Sequence, residues 1–323
     1  MIDVQEAELL RLFNPYFFDQ YQRIAASNGR FVHYTSADAA FKMLVSRTVW
    51  LRNARTMNDF SEIQYGLELL AAAYRGPLGD RLKKCVAEID PAICTDIEKL
   101  FNGWSPRFPE VTYLACVSEH DGQHEDRIGR LSMWRAYGGP TSVALVLNNK
   151  PFLAPTDVLH AYTSPVLYAD FDCFQAQFER LVLNLEQAGP ALNKLGRQVV
   201  HDRLFNSFLF ATLCTKHPGF REEREWRVIH TEQMQPSTNL AKEIETVRGV
   251  PQFAYKIPLR DILGGPGEVG FLGSDVKDLL DRIIIGPSDS GLVIRDAFVH
   301  LLEQAGVPDA ATKVFISGIP LRG

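Results

Sequence analysis

Two short apolar runs, separated by a helical segment, decide the fold class of this chain: Val111-Thr-Tyr-Leu-Ala-Cys-Val117 and Thr141-Ser-Val-Ala-Leu-Val-Leu147. Each run has the length and composition that are typical of a strand buried on both faces. Between them, Leu131–Tyr137 has helical spacing and ends at Gly138-Gly139, which favours helix termination. This alternation predicts an α+β fold with a mixed, split β-sheet core.

The same pattern continues on both sides of this stretch. A strand is predicted over residues 31–35, and helical patterns interrupt the sheet near 58–101 and 171–214. We therefore expect an N-terminal helical segment over 1–29 and a single α+β domain over 30–323 that contains both helical insertions. The sequence has no internal repeat and no long Pro- or Ser-rich linker that would mark another boundary.

Composition limits the class of protein. The chain has 323 residues, 46% hydrophobic and 23% charged, which excludes collagen-like, disulfide-scaffold and wholly disordered proteins. Its formal net charge of −5 provides no global field for nucleic acid, so such a partner would need a local basic patch.

Three features predict a cytoplasmic location. The five cysteines form no C-x-x-C pair, which is typical of reduced thiols. Acidic residues lie among the first apolar ones, unlike a signal peptide. No stretch approaches the roughly 20 apolar residues of a membrane span, so we expect no membrane partner.

The first candidate site is the run Phe31-Val-His-Tyr-Thr-Ser36. A histidine on a short strand, followed by hydroxyl residues at the turn into a helix, is typical of an anion site at a helix N-terminus. In the structural alternative, His33 is a core histidine bonded to a backbone carbonyl and Ser36 is only a helix cap.

Basic residues surround the next predicted strand. Arg47, Arg52 and Arg55 have the planar guanidinium groups that match phosphate geometry, and Asn58 with Asp59 could orient a ribose or a base. These residues indicate an anionic small-molecule ligand, although a solvated basic loop explains them equally well.

Two aromatic residues lie three positions apart on the predicted helix before Gly138. Trp134 and Tyr137 would then share one helical face and could sandwich a flat heterocycle. They could instead fasten the helix to the sheet, which is the commoner role of such pairs.

The strongest acidic feature is Glu222-Glu-Arg-Glu-Trp-Arg227. On a strand, Glu223, Glu225 and Arg227 would share one face, opposite Trp226. One carboxylate could stabilise an oxocarbenium-like centre while the other positions a nucleophile. A surface ladder of ion pairs is the alternative.

Two other segments predict loops rather than sites. Gly265–Gly270 fits G-x-G-x-x-G as a string, but it follows no apolar strand and opens no helix, so a surface loop is favoured. His120–His124 contains glycine and many polar residues, which favours a lid over a metal site. We predict no metal.

Four motifs resemble those of a widespread bacterial family that is known only as a domain of unknown function. They are His33-Tyr-Thr-Ser36, Asn58-Asp59 with Glu62, Met133-Trp134 with Tyr137-Gly138, and Phe220 through Arg227. The resemblance spans about residues 31–231.

The layout is also similar to that of ADP-ribosyltransferases, whose split sheet binds NAD. The resemblance implies that His33 holds the adenosine ribose, that Tyr137 or Trp134 stacks on nicotinamide, and that Glu225 bonds the nicotinamide ribose. Glu223-x-Glu225 is similar to the Glu-x-Glu of the arginine-modifying branch. The residues expected to bind NAD are His33, Tyr34, Thr35, Ser36, Arg52, Asn58 and Trp134, and those expected to act in catalysis are Tyr137, Glu223 and Glu225.

These observations predict an NAD-dependent ADP-ribosyltransferase-like enzyme in which Glu225 stabilises the oxocarbenium-like centre, and the resemblance suggests a bacterial toxin or phage-defence setting. Its acceptor could be protein, nucleic acid or water. One alternative is a non-catalytic module that binds nucleotides or nucleic acid with the Trp134 and Tyr137 rings. Another is a metal-dependent nuclease built on Asp59, Glu62, Glu223 and Glu225.

Overall fold

The computed structural model describes residues 4–57, 60–247 and 249–320. Fourteen α-helical segments lie in these ranges. They are α1 Val4–Phe13, α2 Pro15–Ser27, α3 Ala37–Ser46, α4 Phe60–Arg75, α5 Pro77–Ala87, α6 Ala92–Trp104, α7 Phe108–Val111, α8 Leu131–Met133, α9 Phe171–Ala188, α10 Pro190–Leu195, α11 Arg197–Leu213, α12 Val276–Leu279, α13 Gly291–Gln304 and α14 Ala310–Lys313. Within the same ranges, no helix combines the length and the apolar character that crossing a membrane requires.

Twelve strands lie in the described ranges. They are β1 Arg30–Ser36, β2 Thr48–Asn53, β3 Thr112–His120, β4 Ser142–Leu147, β5 Tyr162–Pro165, β6 Leu167–Tyr168, β7 Thr215–Lys216, β8 Glu225–Thr231, β9 Ala241–Val247, β10 Val250–Pro258, β11 Leu280–Ile285 and β12 Val314–Ile316. Helices combine with a mixed, mostly antiparallel sheet, and the predicted α+β class is therefore confirmed.

The main sheet has ten strands and branches at β3. One edge of β3 pairs with β8 over residues 112–118, and β5 pairs with the far side of β8. The opposite edge of β3 pairs with β1 near His120 and with β2 near Tyr113. The sheet is mixed but mostly antiparallel, with β11 and β12 parallel, and it divides between β1 and β2.

Strand register defines two faces of this sheet. Val32, Ser118 and Glu225 lie directly across from one another on neighbouring strands and share what we name the front face. Val117 and Trp226 pair on the opposite face, which we name the back face. His33 precedes Tyr34 and follows Val32, so the alternation along a strand puts it on the back face.

Helices cover both faces. On the front face, α4 and α11 pack on apolar side chains of β3 and β8, including Leu114 and Ile229. On the back face, α3 and α13 pack against β4 and β11. Helices from both insertions, α4 to α6 and α9 to α11, share a separate core with α1. Because α4 and α11 belong to different insertions, their packing brings residues far apart in sequence to the front face.

The N-terminal helical segment is interrupted at Asn14. Pro15 begins α2 at the position where a missing backbone N–H costs nothing, and α1 ends at Phe13. The segment therefore forms two helices that pack in different cores. Phe13 of α1 lies in the core that both helical insertions share, and Ile24 of α2 lies in the core on the back face of the sheet.

Close contact between α4 and α11 depends on Gly66. A Cβ atom on Gly66 would lie 2.3 Å from the carbonyl oxygen of Thr212. We expect Gly66→Ala to lower the free energy of unfolding by about 1–3 kcal/mol, because the two helices must move apart. Urea unfolding of both proteins measures this difference.

Gly103→Ala is the matched control for Gly66→Ala. Gly103 lies near the end of α6, and nothing would lie within 4 Å of a Cβ placed there. Alanine should leave stability unchanged or raise it by up to about 1 kcal/mol, because it lowers the entropy of the unfolded chain. Equal losses in both variants would contradict the role of the helix contact.

Candidate functional site

A cluster of five charged side chains lies on the front face, where β7 and β8 meet α4. Its centre is the ammonium of Lys216, which lies 2.7 Å from Glu223 and 2.5 Å from Glu225. The Glu62 carboxylate lies 3.1 Å from the same nitrogen. Three carboxylates thus converge on one buried lysine.

Arg227 supplies the second cation of the cluster. Its Nε donates to Glu225 at 2.8 Å, and its guanidinium also contacts Glu62. A third hydrogen bond, of 2.5 Å, reaches the Leu213 carbonyl at the end of α11. Because these partners belong to β8, α4 and α11, Arg227 connects the sheet to both helical insertions.

The cluster keeps Glu225 ionised. Burial by itself would raise the pKa of this carboxyl, but Arg227 and Lys216 lower it to about 2. The described contacts join these three carboxylates to two cations, Lys216 and Arg227. Of the three, Glu223 has the most exposed side chain, at 15%, compared with 5% for Glu225.

Tyr137 connects this buried charge to the surface. Its hydroxyl donates to Glu223 at 2.7 Å, and the residue is 36% exposed. It lies on Trp134–Gly138, a single turn of π-helix, a form that is frequent at functional sites. Burial of the hydroxyl and its bond to Glu223 raise the pKa of Tyr137, so the phenol remains a proton donor.

The surface beside Tyr137 combines aromatic and basic side chains. Phe220 is 48% exposed, and the Lys216 ammonium lies 5.6 Å from its ring centre. Three exposed arginines lie within four residues of Tyr137 or Phe220 in the sequence: Arg135, Arg221 and Arg224. We name this surface the Tyr137 mouth; it consists of Tyr137, Phe220, Glu223 and these three arginines.

The predicted acidic residues therefore come together, although not as a strand ladder. Strand β8 begins at Glu225, and Glu223 lies on the short 3₁₀ helix Pro218–Glu223 before it. Arg224 adopts a left-handed conformation between them, with φ of 44°. The turn still directs both carboxylates to Lys216.

Lys216 and Tyr168 were not predicted as site residues. The Tyr168 hydroxyl accepts a hydrogen bond of 2.9 Å from the backbone N–H of Glu225 and so fixes the start of β8. Lys216 follows the apolar end of α11, three residues after Leu213. A lysine that is buried in such a position needs carboxylate partners. Its position in the sequence could therefore have identified Lys216 as a site residue.

His33 does not join this cluster. It lies on the back face, and its Nδ1 lies 2.9 Å from the carbonyl oxygen of Cys116, in the gap where β1 and β2 separate. Ser36 caps α3 by accepting a hydrogen bond from Ala39, and Thr35 is half-buried beside it. These contacts are those of the structural alternative.

Trp134 and Tyr34 are parts of the front-face core. Their rings meet edge to face at 4.8 Å, and Trp134 is only 2% exposed. The indole N–H donates to Ile128, and the Tyr34 hydroxyl accepts from the backbone of Arg130. Trp134 therefore fastens its helix to the sheet, and the expected sandwich with Tyr137 is not formed.

Arg52 contacts residues of its own end of the sheet. It donates to Gln252 at 3.2 Å and to the Thr56 carbonyl at 3.0 Å. Arg55 pairs with Glu110 at 2.5 Å. Asn58 lies outside the described residues, as does Asp59.

Among the described residues, no group of three or more His, Cys, Asp or Glu side chains could hold a metal ion. Glu62, Glu223 and Glu225 converge, but each contacts Lys216. The predicted Gly265–Gly270 loop is closed by a single bridge between Ile262 and Phe271.

Part of the chain matches a known family. Residues 133–228 match the model of a family described as protein of unknown function (DUF2971), which supports the resemblance to a domain of unknown function. The matched range includes Tyr137, Lys216, Glu223, Glu225 and Arg227. Comparison with curated proteins and with solved structures gives no match.

Proposed function

We propose that this protein is an NAD-using, ADP-ribosyltransferase-like enzyme whose ligand binds at the Tyr137 mouth. The observation that supports this is the chain of contacts from the partly exposed Tyr137 through Glu223 to Lys216. It joins a residue at the surface to a buried group of carboxylates. Such an arrangement offers a fixed negative charge at the edge of a water-poor site.

The charge of the cluster suits cleavage of a glycosidic bond to nicotinamide. As this bond breaks, positive charge develops on the ribose, and a preorganised anion nearby stabilises it. Glu223 is the carboxylate nearest to solvent, so we assign this role to Glu223. Glu225, which is more deeply buried, instead forms ion pairs with Lys216 and Arg227 and holds both cations in position.

The mouth also has groups that suit a dinucleotide. The exposed rings of Tyr137 and Phe220 can stack on nicotinamide or adenine. Guanidinium groups of Arg135, Arg221 and Arg224 suit the pyrophosphate. The acceptor in this proposal is protein, nucleic acid or water, in a bacterial toxin or phage-defence setting in the cytoplasm.

A second function is favoured by one observation. Both carboxylate oxygens of Glu225 are already bonded, to Lys216 and to Arg227, and the residue is buried. The carboxylate that the resemblance assigns to the ribose therefore has no free side for a ligand. This favours a module that binds a nucleotide at the mouth without turning it over.

Labelled NAD distinguishes these functions. We expect the wild-type protein to release nicotinamide and Glu223→Gln to release it at least about 100-fold more slowly, because the fixed charge is lost. Glu222→Gln, at an exposed neighbouring position, is the matched control and should keep the wild-type rate.

Two outcomes would reject the enzyme. One is an equal rate from the wild-type protein and Glu223→Gln, and the other is no release from the wild-type protein. In the second case, saturable NAD binding that Phe220→Ala weakens would establish the binding module.

A further inference from the structure

A cavity of about 1300 Å³ lies against the back face around His33 and is lined also by residues of β5 and α11; Tyr137 does not line it. It extends between the sheet, the segment 151–164 and the helices α1 and α11. None of the five charged residues of the Lys216 cluster lines it. The function proposed above therefore does not account for this space.

Apolar side chains form its wall on the sheet. They are Ala115, Val117, Leu145, Leu147, Ile257 and Leu259. Protein interiors are close-packed and contain few voids larger than a water molecule. Water gains few hydrogen bonds between apolar walls, so a cavity of this size and lining is suited to an apolar ligand.

His33 places one hydrogen-bonding atom in this wall. Its Nδ1 must carry the proton, because the Cys116 carbonyl that it contacts at 2.9 Å can only accept. Burial lowers the pKa of His33, so the ring is neutral at physiological pH. Nε2 is then an acceptor, and among the described residues it accepts no hydrogen bond.

Two charged residues at the helical end of the cavity, Glu6 and Arg203, pair with each other. Arg203 donates to both carboxylate oxygens of Glu6, each at 2.6 Å. This pair therefore needs no charged ligand to compensate it. Exposed Val199 and Val269 also line the cavity, and they provide a route to its interior from the surface.

We propose that this cavity binds a largely apolar small molecule with an O–H or N–H group, and that this group donates a hydrogen bond to Nε2 of His33. The apolar walls give affinity, and Nε2 of His33, an acceptor set among apolar side chains of the sheet, selects for a donor. The ligand class is thus an apolar alcohol, phenol or N–H heterocycle.

Fluorescent N-phenyl-1-naphthylamine, competed by two small ligands of nearly equal shape, tests this proposal. We expect saturable binding of the probe to the wild-type protein and its displacement by both 2-naphthol and 2-methylnaphthalene. Displacement by 2-naphthol should need about tenfold less ligand, the ratio that one buried hydrogen bond provides. His33→Phe should remove this preference.

Leu145→Trp controls for the location of the probe. Leu145 pairs with His33 across β1 and β4, and an indole there should fill the cavity beside the histidine and weaken probe binding at least tenfold. Any one of three results would overturn the proposal. They are equal displacement by the two ligands in the wild-type protein, unchanged probe binding in Leu145→Trp, and a preference for 2-naphthol that persists in His33→Phe. If His33→Phe does not fold, the comparison of the two ligands in the wild-type protein decides the question.

Discussion

Replacing Arg227 with methionine is expected to lower the free energy of unfolding by about 3–5 kcal/mol, the cost of leaving buried carboxylates without their partner. Arg227 is fully buried and pairs with Glu62 and Glu225. Methionine retains an unbranched apolar chain as far as the position of Nε, so the lost charge should contribute more to the change than the lost volume. Urea unfolding of the wild-type and variant proteins measures it.

Arg81→Met is the matched control for this prediction. Arg81 also forms a two-pronged ion pair, with Glu186 at 3.0 and 2.6 Å, but its side chain is 39% exposed. Water compensates such a pair when it is broken. We expect no measurable change in Arg81→Met, and similar losses in both variants would show that burial of the Arg227 cluster has no special role.

The second large effect is expected in acid. The pKa of Glu225 is about 2 in the folded protein, because Arg227 and Lys216 outweigh burial, whereas its ordinary value is 4.5. Between these values the unfolded chain binds more protons than the folded one, so stability falls as pH is lowered. The contribution from Glu225 is fully present above pH 4.5 and is about 3 kcal/mol.

The difference between wild-type protein and Glu225→Gln isolates this contribution. Asp281 and Asp121 also have lowered pKa values and act in the same direction, but they remain in both proteins. Urea unfolding from pH 6 to 2.5 should therefore show a steeper loss for the wild-type protein. Parallel pH profiles would mean that Glu225 is not held ionised by its neighbours.

The central strands were predictable from local sequence. The apolar runs ending at Val117 and Leu147 are β3 and β4, and the aromatic run at Phe31 is β1. Strand β9 was missed, because it lies at the sheet edge and most of it is exposed. An exposed strand has no buried face, so the alternation that reveals a strand is absent.

The candidate site was only half predictable. Tyr137, Glu223 and Glu225 were expected to act together. In the structure Tyr137 is hydrogen-bonded to Glu223, and Lys216 joins Glu223 to Glu225. Trp134 was expected to bind the same ligand, but its side chain is buried against Tyr34. Helical spacing shows that two rings lie near one face, but which ring becomes buried depends on the surface that the helix meets.

The sequence by itself determined the α+β class, the β1, β3 and β4 strands and the sharing of one face by Glu225 and Arg227. These features follow from the period of a strand and need no distant contact. Only the tertiary structure decided that His33 lies on the opposite face from Glu225, and that Lys216 and Glu62 complete the cluster. The physical reason is that partners for a buried charge come from separate elements, which only the packing of both helical insertions on the sheet brings together.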